Sequence, residues 1–217
     1  MTTIGLVQQK GGVGKTTIAT NLAATLQSRG YSALLVDADP QGTARDWAAK
    51  SEDIGLTTVG VDRPVVHEEL PSIEGFDVAI VDAVGKLEKM TISVIKASDL
   101  ALVPIQPSAA DLWAVGQVID HIESRQEITG GKPEARFVIS RAIASSTMTD
   151  QVQEILNEAP FERLETEVNQ RVAYARALGD GKSIHETSDA KAKKEINDIT
   201  DELEQILQTH GQRRPQS

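Results

Sequence analysis

Apolar residues in this chain fall into two rhythms that alternate along most of its length. Short continuous runs, such as Ala33-Leu34-Leu35-Val36 and Val78-Ala79-Ile80-Val81, have the pattern of parallel strands covered on both faces. Between them, apolar positions recur every three or four residues, the spacing of one helical face. Runs at 4–7, 33–37, 76–82, 99–105 and 135–140 predict buried strands, with an edge strand over 56–61 and a late strand over 163–168. Helical spacing predicts a helix ending near Gln27, then helices over 42–50, 89–97, 109–127, 149–157, 169–178 and 189–208. Residues 64–72 are too weakly patterned to assign, and 179–182 read as a turn. Strands alternating with helices, without internal repeat, predict an α/β fold with a mostly parallel, doubly wound sheet.

Individual positions sharpen this outline. Trp47 is expected on the packed face of its short helix, and Leu112, Val115, Val118, Ile119 and Ile122 form the inward stripe of the longest central one. Trp113 sits beside that stripe, either half-buried on the helix shoulder or turned towards a partner. Ile196, Ile199, Leu203, Ile206 and Leu207 share one face of the closing helix, whose outer face is acidic.

The first strand and first helix are joined by Lys10-Gly11-Gly12-Val13-Gly14-Lys15-Thr16-Thr17. Glycines at a strand's carboxyl end let backbone N–H groups converge on phosphate oxygens, and the following helix dipole adds positive potential. Lys15 is placed to reach β and γ phosphates, and the Thr16 hydroxyl to complete a Mg2+ shell. The strand over 33–37 ends in Asp37, with Asp39 two residues on, and extended geometry would point both carboxylates towards this loop. The alternative is that the two aspartates merely cap the next helix. The strand over 76–82 ends in Asp82, followed by Gly85, the pattern of an acid that holds a metal-bound water and a glycine facing the γ-phosphate.

Composition narrows the classes. The 217 residues suit one large domain over 1–209, with a polar tail over 210–217 expected to be disordered. Cysteine is absent, which excludes disulfides, thiolate zinc sites and cysteine-ligated iron-sulfur clusters. No run approaches 18 apolar residues, and the amino terminus enters strand and loop at once, so a cytoplasmic protein is expected. The net charge of −10 argues against a uniformly basic nucleic-acid binder and leaves room only for a local patch. The histidines His67, His121, His185 and His210 are scattered and form no catalytic constellation.

The glycine loop departs from the common GxxxxGK[ST] spacing, because Gln9 stands at the first glycine position and Lys10 adds a second lysine at the mouth. It resembles the deviant Walker A box of the ParA/MinD superfamily, and the likeness extends to the Asp39-Pro40-Gln41 switch, the Asp82 strand and the pattern of Arg171 with Gly181-Lys182. The resemblance is greatest to the small ParA ATPases of plasmid partition, the ParF-like group. It implies an Mg2+-dependent ATPase of the deviant Walker A type in which Lys10, Lys15 and Asp39 are catalytic. Lys10 would reach the partner's nucleotide in trans, Asp39 would orient the attacking water, and Asp37 would support the metal site with Thr16 and Asp82. Residues 10–17, Gly85 and Pro107 would bind nucleotide.

The resemblance also implies an ATP-bound homodimer, with filaments left open, that binds DNA without sequence preference and so associates with the nucleoid. A small centromere-binding or cargo-adaptor partner would stimulate hydrolysis, and related ATPases position chromosomes, carboxysomes or chemoreceptor arrays. Arg171, Lys182, Lys191, Lys193 and Lys194 are the expected DNA contacts, the alternative being a solvated helix face. At the end of the 135–140 strand, where many superfamily members place an adenine-reading asparagine, this chain has Ser140-Arg141. A membrane-cycling regulator like MinD would need a basic amphipathic carboxyl-terminal helix, which the acidic outer face of the last helix does not provide. A metabolic P-loop enzyme is the other rival, and no separate substrate constellation supports it.

Overall fold

The computed structural model describes residues 1–51, 54–85, 87–143 and 147–209; the expected tail over 210–217 lies outside them. Among the described residues there are seven strands: β1 (Thr2–Leu6), β2 (Ala33–Ala38), β3 (Thr57–Gly60), β4 (Val78–Ala83), β5 (Leu100–Ile105), β6 (Glu134–Ala142) and β7 (Val168–Asn169). They form one sheet in the order β3-β2-β4-β1-β5-β6-β7, and the paired strands run parallel. The chain works outward on one side of β1 and then crosses to the other. That reversal opens a crevice at the carboxyl ends of β1 and β4.

Successive strand residues face opposite sides, so each apolar run supplies two cores. Leu34, Val36, Val81 and Val103 pack with α4 (Glu88–Ala97), α5 (Ala109–Thr129) and α6 (Thr147–Asn157) through Met90, Val94, Val118, Ile122 and Val152. Ile4, Leu35, Ile80 and Leu102 pack on the other side with α1 (Lys15–Ser28), α2 (Thr43–Lys50), α7 (Val172–Gly179) and α8 (Ala190–Thr209). Trp47 of α2 is 2% exposed, and its indole N–H donates to the Lys182 carbonyl at 3.0 Å. Trp113 is 82% exposed, so of its two alternatives the half-buried shoulder is not realised. The weakly patterned stretch becomes a single-turn α3 (Val66–Glu69) and a 3-10 turn (Leu70–Ser72) that bury Val66 and Leu70.

Two expected elements are corrected. The strand over 163–168 shrinks to a lone bridge from Phe137 to Arg163 and the two residues of β7. The amides of Glu165 and Thr166 donate instead to the Glu202 carboxylate of α8, at 2.7 and 2.9 Å, which satisfies them without a strand neighbour. The helix expected from 169 starts three residues later because Asn169 still belongs to the strand, its amide donating to Glu195.

Candidate active site at the glycine loop

Gly12 and Gly14 adopt φ of 79° and 90°, the left-handed region that favours glycine, and Gly14 opens α1. Lys15 is 7% exposed and its Nζ donates to the Lys10 carbonyl at 3.1 Å. Burial lowers the Lys15 pKa, while the charges of Asp82 and Asp39 oppose that shift. The amino group is thus held inside the loop by one hydrogen bond, ready to exchange a carbonyl for phosphate oxygens.

Facing it, the Thr16 hydroxyl donates to Asp82 Oδ2 at 2.6 Å, whereas Asp82 Oδ1 is buried without a hydrogen-bond partner. Burial pushes the Asp82 carboxyl up to about 7, reinforced by Asp37 and Asp39 and opposed by the Thr16 hydroxyl and Lys15. An orphaned carboxylate oxygen beside a hydroxyl is a donor set that suits a hard divalent cation, so Thr16 and Asp82 fit Mg2+.

The two aspartates of the switch do not act as a pair. Asp37 is fully buried and both oxygens are engaged, Oδ1 by the Asp39 amide at 3.0 Å and Oδ2 by the Arg45 amide at 2.9 Å. Burial raises its pKa and these two bonds counter the rise. Arg45 lies in the first turn of α2, so Asp37 satisfies a backbone N–H at the start of that helix, as the capping alternative expected. The strand ends at Ala38, so Asp39 leaves the extended geometry that would have aligned the two. Its Oδ1 accepts the Gln41 amide at 2.9 Å, and it borders the loop cavity of about 360 Å³ with Lys15, Thr16 and Gly85.

Gly85 is required by close approach: a Cβ there would lie 3.1 Å from the Gln9 carbonyl oxygen and 3.2 Å from the Gly11 nitrogen. Pro107, expected at the nucleotide, borders neither cavity at the loop. Its neighbour Gln106 touches the loop instead, donating to the Gly12 carbonyl at 2.7 Å. Lys10 Nζ is 2.5 Å from Oδ2 of Asp111 in the first turn of α5, and the Ser108 hydroxyl donates to the same oxygen. Ser140 closes the far side, donating to the Val13 carbonyl at 2.6 Å. Sequence reasoning missed Gln106, Asp111 and Ser140; for Ser140 the available signal was a polar residue ending an apolar strand.

The expected DNA cations are divided. Arg171 Nε and Nη2 both donate to Glu195 Oε1, at 2.9 and 2.6 Å, and Lys194 pairs with Asp198. Glu195 also receives the Asn169 amide and side chain and the Tyr174 hydroxyl. Arg171, expected as a DNA contact, is engaged within the fold by this pairing. Lys182 and Lys191 are exposed and Lys193 is half-buried.

A glycine loop at a sheet's reversal point, with a buried lysine, a threonine hydroxyl and an unsatisfied carboxylate, defines a P-loop nucleoside triphosphatase. The chain belongs to the CobQ/CobB/MinD/ParA nucleotide binding domain family, whose model matches residues 4–184. Its family is one of nucleotide binding domains, and the buried loop lysine with Thr16 and Asp82 suits a nucleoside triphosphate and a divalent cation. Over 209 residues the protein is 34% identical to "Maintenance of carboxysome distribution protein A" of Halothiobacillus neapolitanus, covering 93% of this chain and 95% of that one. It is 28% identical to the chromosome-partitioning ATPase Soj of Thermus thermophilus, over 83% of this chain and 86% of the relative. Among solved structures, apo McdA of Cyanothece superposes with a TM-score of 0.78 at 19% identity, covering 94% of this chain and 99% of that one. The superfamily expectation is met, while these relatives do not single out the plasmid-partition group. Among the described residues no helix is long and apolar enough to cross a membrane.

Proposed function

We infer that this protein is an ATP-driven positioning ATPase for a protein cargo, cycling between monomer and ATP-bound dimer under the control of a small adaptor protein. The observation that carries this reading is its 34% identity, over 95% of the relative's length, to a carboxysome distribution protein.

In this cycle Lys15 grips the β and γ phosphates, and Thr16 and Asp82 would hold Mg2+, which would supply positive charge beside them. Asp39 holds the attacking water, with Asp37 fixing the switch backbone from behind. Lys10 crosses to the partner's nucleotide, so dimerisation completes the site. The dimer binds DNA without sequence preference through Lys182, Lys191 and Lys193 and uses the nucleoid as its matrix, doubling a patch too weak to bind alone.

A second reading, DNA segregation, is favoured by the likeness to Soj. A membrane-cycling role is not, because the apolar stripe of α8, Ile196, Ile199 and Leu203, is buried in the core. Deleting the gene and scoring both plasmid retention and the spacing of protein bodies in the same cells separates the two. Clustered bodies with retained plasmid support positioning; lost plasmid with evenly spaced bodies overturns it.

A further inference from the structure

A second cavity, of about 790 Å³, opens beside the loop and shares Gly14, Thr17, Arg141 and Leu178 with the phosphate cavity. A nucleotide whose phosphates lie in the loop therefore carries its base into this larger space, where Ile18 and Val172 offer apolar flanks to a flat ring. Among the described residues three cations, Arg141, Arg171 and Lys191, border the cavity, and no carboxylate does. Arg171 is already tied to Glu195. Arg141 has no carboxylate partner among the described residues.

The backbone singles out Arg141. Its φ of 52° is the one positive value among the described non-glycine residues, at a break in β6–β7 register between Ser140 and Ala142. A bulky residue held in the left-handed region costs free energy, and such positions cluster at ligand clamps. The bulge carries its side chain out of the strand ladder to the border of both cavities.

We propose that Arg141 reads the base in this cavity and that the site accepts guanine nucleotides as well as adenine nucleotides. The proposal rests on the nucleotide-site reading above. A guanidinium carries donors only. Guanine presents O6 and N7, two adjacent acceptors that match its fork, whereas adenine offers N7 beside an N6 amino donor that cannot pair with it. ATP keeps the phosphate contacts, and GTP gains a base contact that ATP lacks.

Equilibrium dialysis of labelled ATP and labelled GTP with Mg2+ against the full chain tests this without relying on turnover. Wild type should bind GTP within about tenfold of ATP, and Arg141→Asn should weaken GTP by about tenfold while ATP is held or improved, the scale of one bidentate contact. Asparagine tolerates positive φ, so the variant keeps the bulge, and an unchanged melting temperature verifies that. Wild type that binds ATP but GTP more than about a hundredfold more weakly overturns the proposal. So does an Arg141→Asn variant with an unchanged GTP-to-ATP ratio, which would make the guanidinium a base-blind stacking surface. Failure of wild type to bind either nucleotide would instead overturn the nucleotide site itself.

Discussion

Lys10 and Asp111 stand 101 positions apart in sequence and meet as an ion pair at 2.5 Å, the lysine half-exposed at the loop mouth and the carboxylate fully buried. The second Asp111 oxygen has no partner, so the lysine is the main compensation for a buried charge. A Lys10 that reaches across a dimer must first leave this carboxylate. Asp111→Asn removes that cost, and the ATP concentration at half-maximal dimer, followed by light scattering, should fall below the wild-type value. Lys10→Ala should bind nucleotide as a monomer but fail to dimerise or turn over. An Asp111→Asn midpoint equal to wild type would make the pairing passive.

Asp39 and Asp82 should fail in different ways. Asp39→Ala loses the carboxylate proposed to hold the attacking water and leaves the phosphate contacts intact, so nucleotide affinity should survive while turnover falls by about 10²-fold or more. Asp82→Ala loses the proposed ligand of the cation, so Mg2+-dependent affinity itself should drop. Calorimetric titration and single-turnover hydrolysis on both variants measure the split; identical affinities and residual rates would refute it.

The raised Asp82 pKa has a consequence for stability without metal. An unfolded aspartate titrates near 3.8, and in the fold this one titrates near 7. Between those values the folded chain holds a proton that the unfolded chain has released, so stability falls as pH rises through that window. In excess chelator, wild type should melt at a lower temperature at pH 7.5 than the same protein at pH 5.5. Asp82→Asn cannot release that proton and should show a smaller drop in calorimetry. An equal drop in both would place the titration elsewhere.

Arg171 and the free lysines should separate into stability and DNA effects. Arg171→Ala strips Glu195 of its cation while Tyr174 and Asn169 remain, which should destabilise the fold by about 2 kcal/mol and lower the melting temperature by several degrees. Lys191→Glu with Lys193→Glu should leave melting nearly unchanged and weaken ATP-dependent binding to duplex DNA of any sequence. For every DNA phosphate that is no longer neutralised, the salt slope should fall by about 0.9. DNA binding equal to wild type in the lysine variant would move the matrix-binding surface off α8.

Five buried strands, the edge strand β3, the glycine loop and Asp82 were legible because each is written locally: buried parallel strands as unbroken apolar runs, phosphate loops as glycines before a lysine. Residues 163–168 misled because β-compatible residues there find their hydrogen bonds on α8, a neighbour that local pattern cannot name. The Lys10–Asp111 pair and the Glu195 hub are each made by side chains meeting after the chain turns or crosses the sheet. Sequence spacing supplied the residue types but not their partners.

The two tryptophans occupy opposite extremes of environment: Trp47 is shielded and hydrogen-bonded to the Lys182 carbonyl, and Trp113 stands in solvent two residues from Lys10's partner on α5. Their intrinsic emission therefore separates by quencher access and wavelength without any dye. The blue, protected component reports how α2 is locked to the carboxyl-terminal segment, and the red, quenchable component reports whatever comes to cover the start of α5.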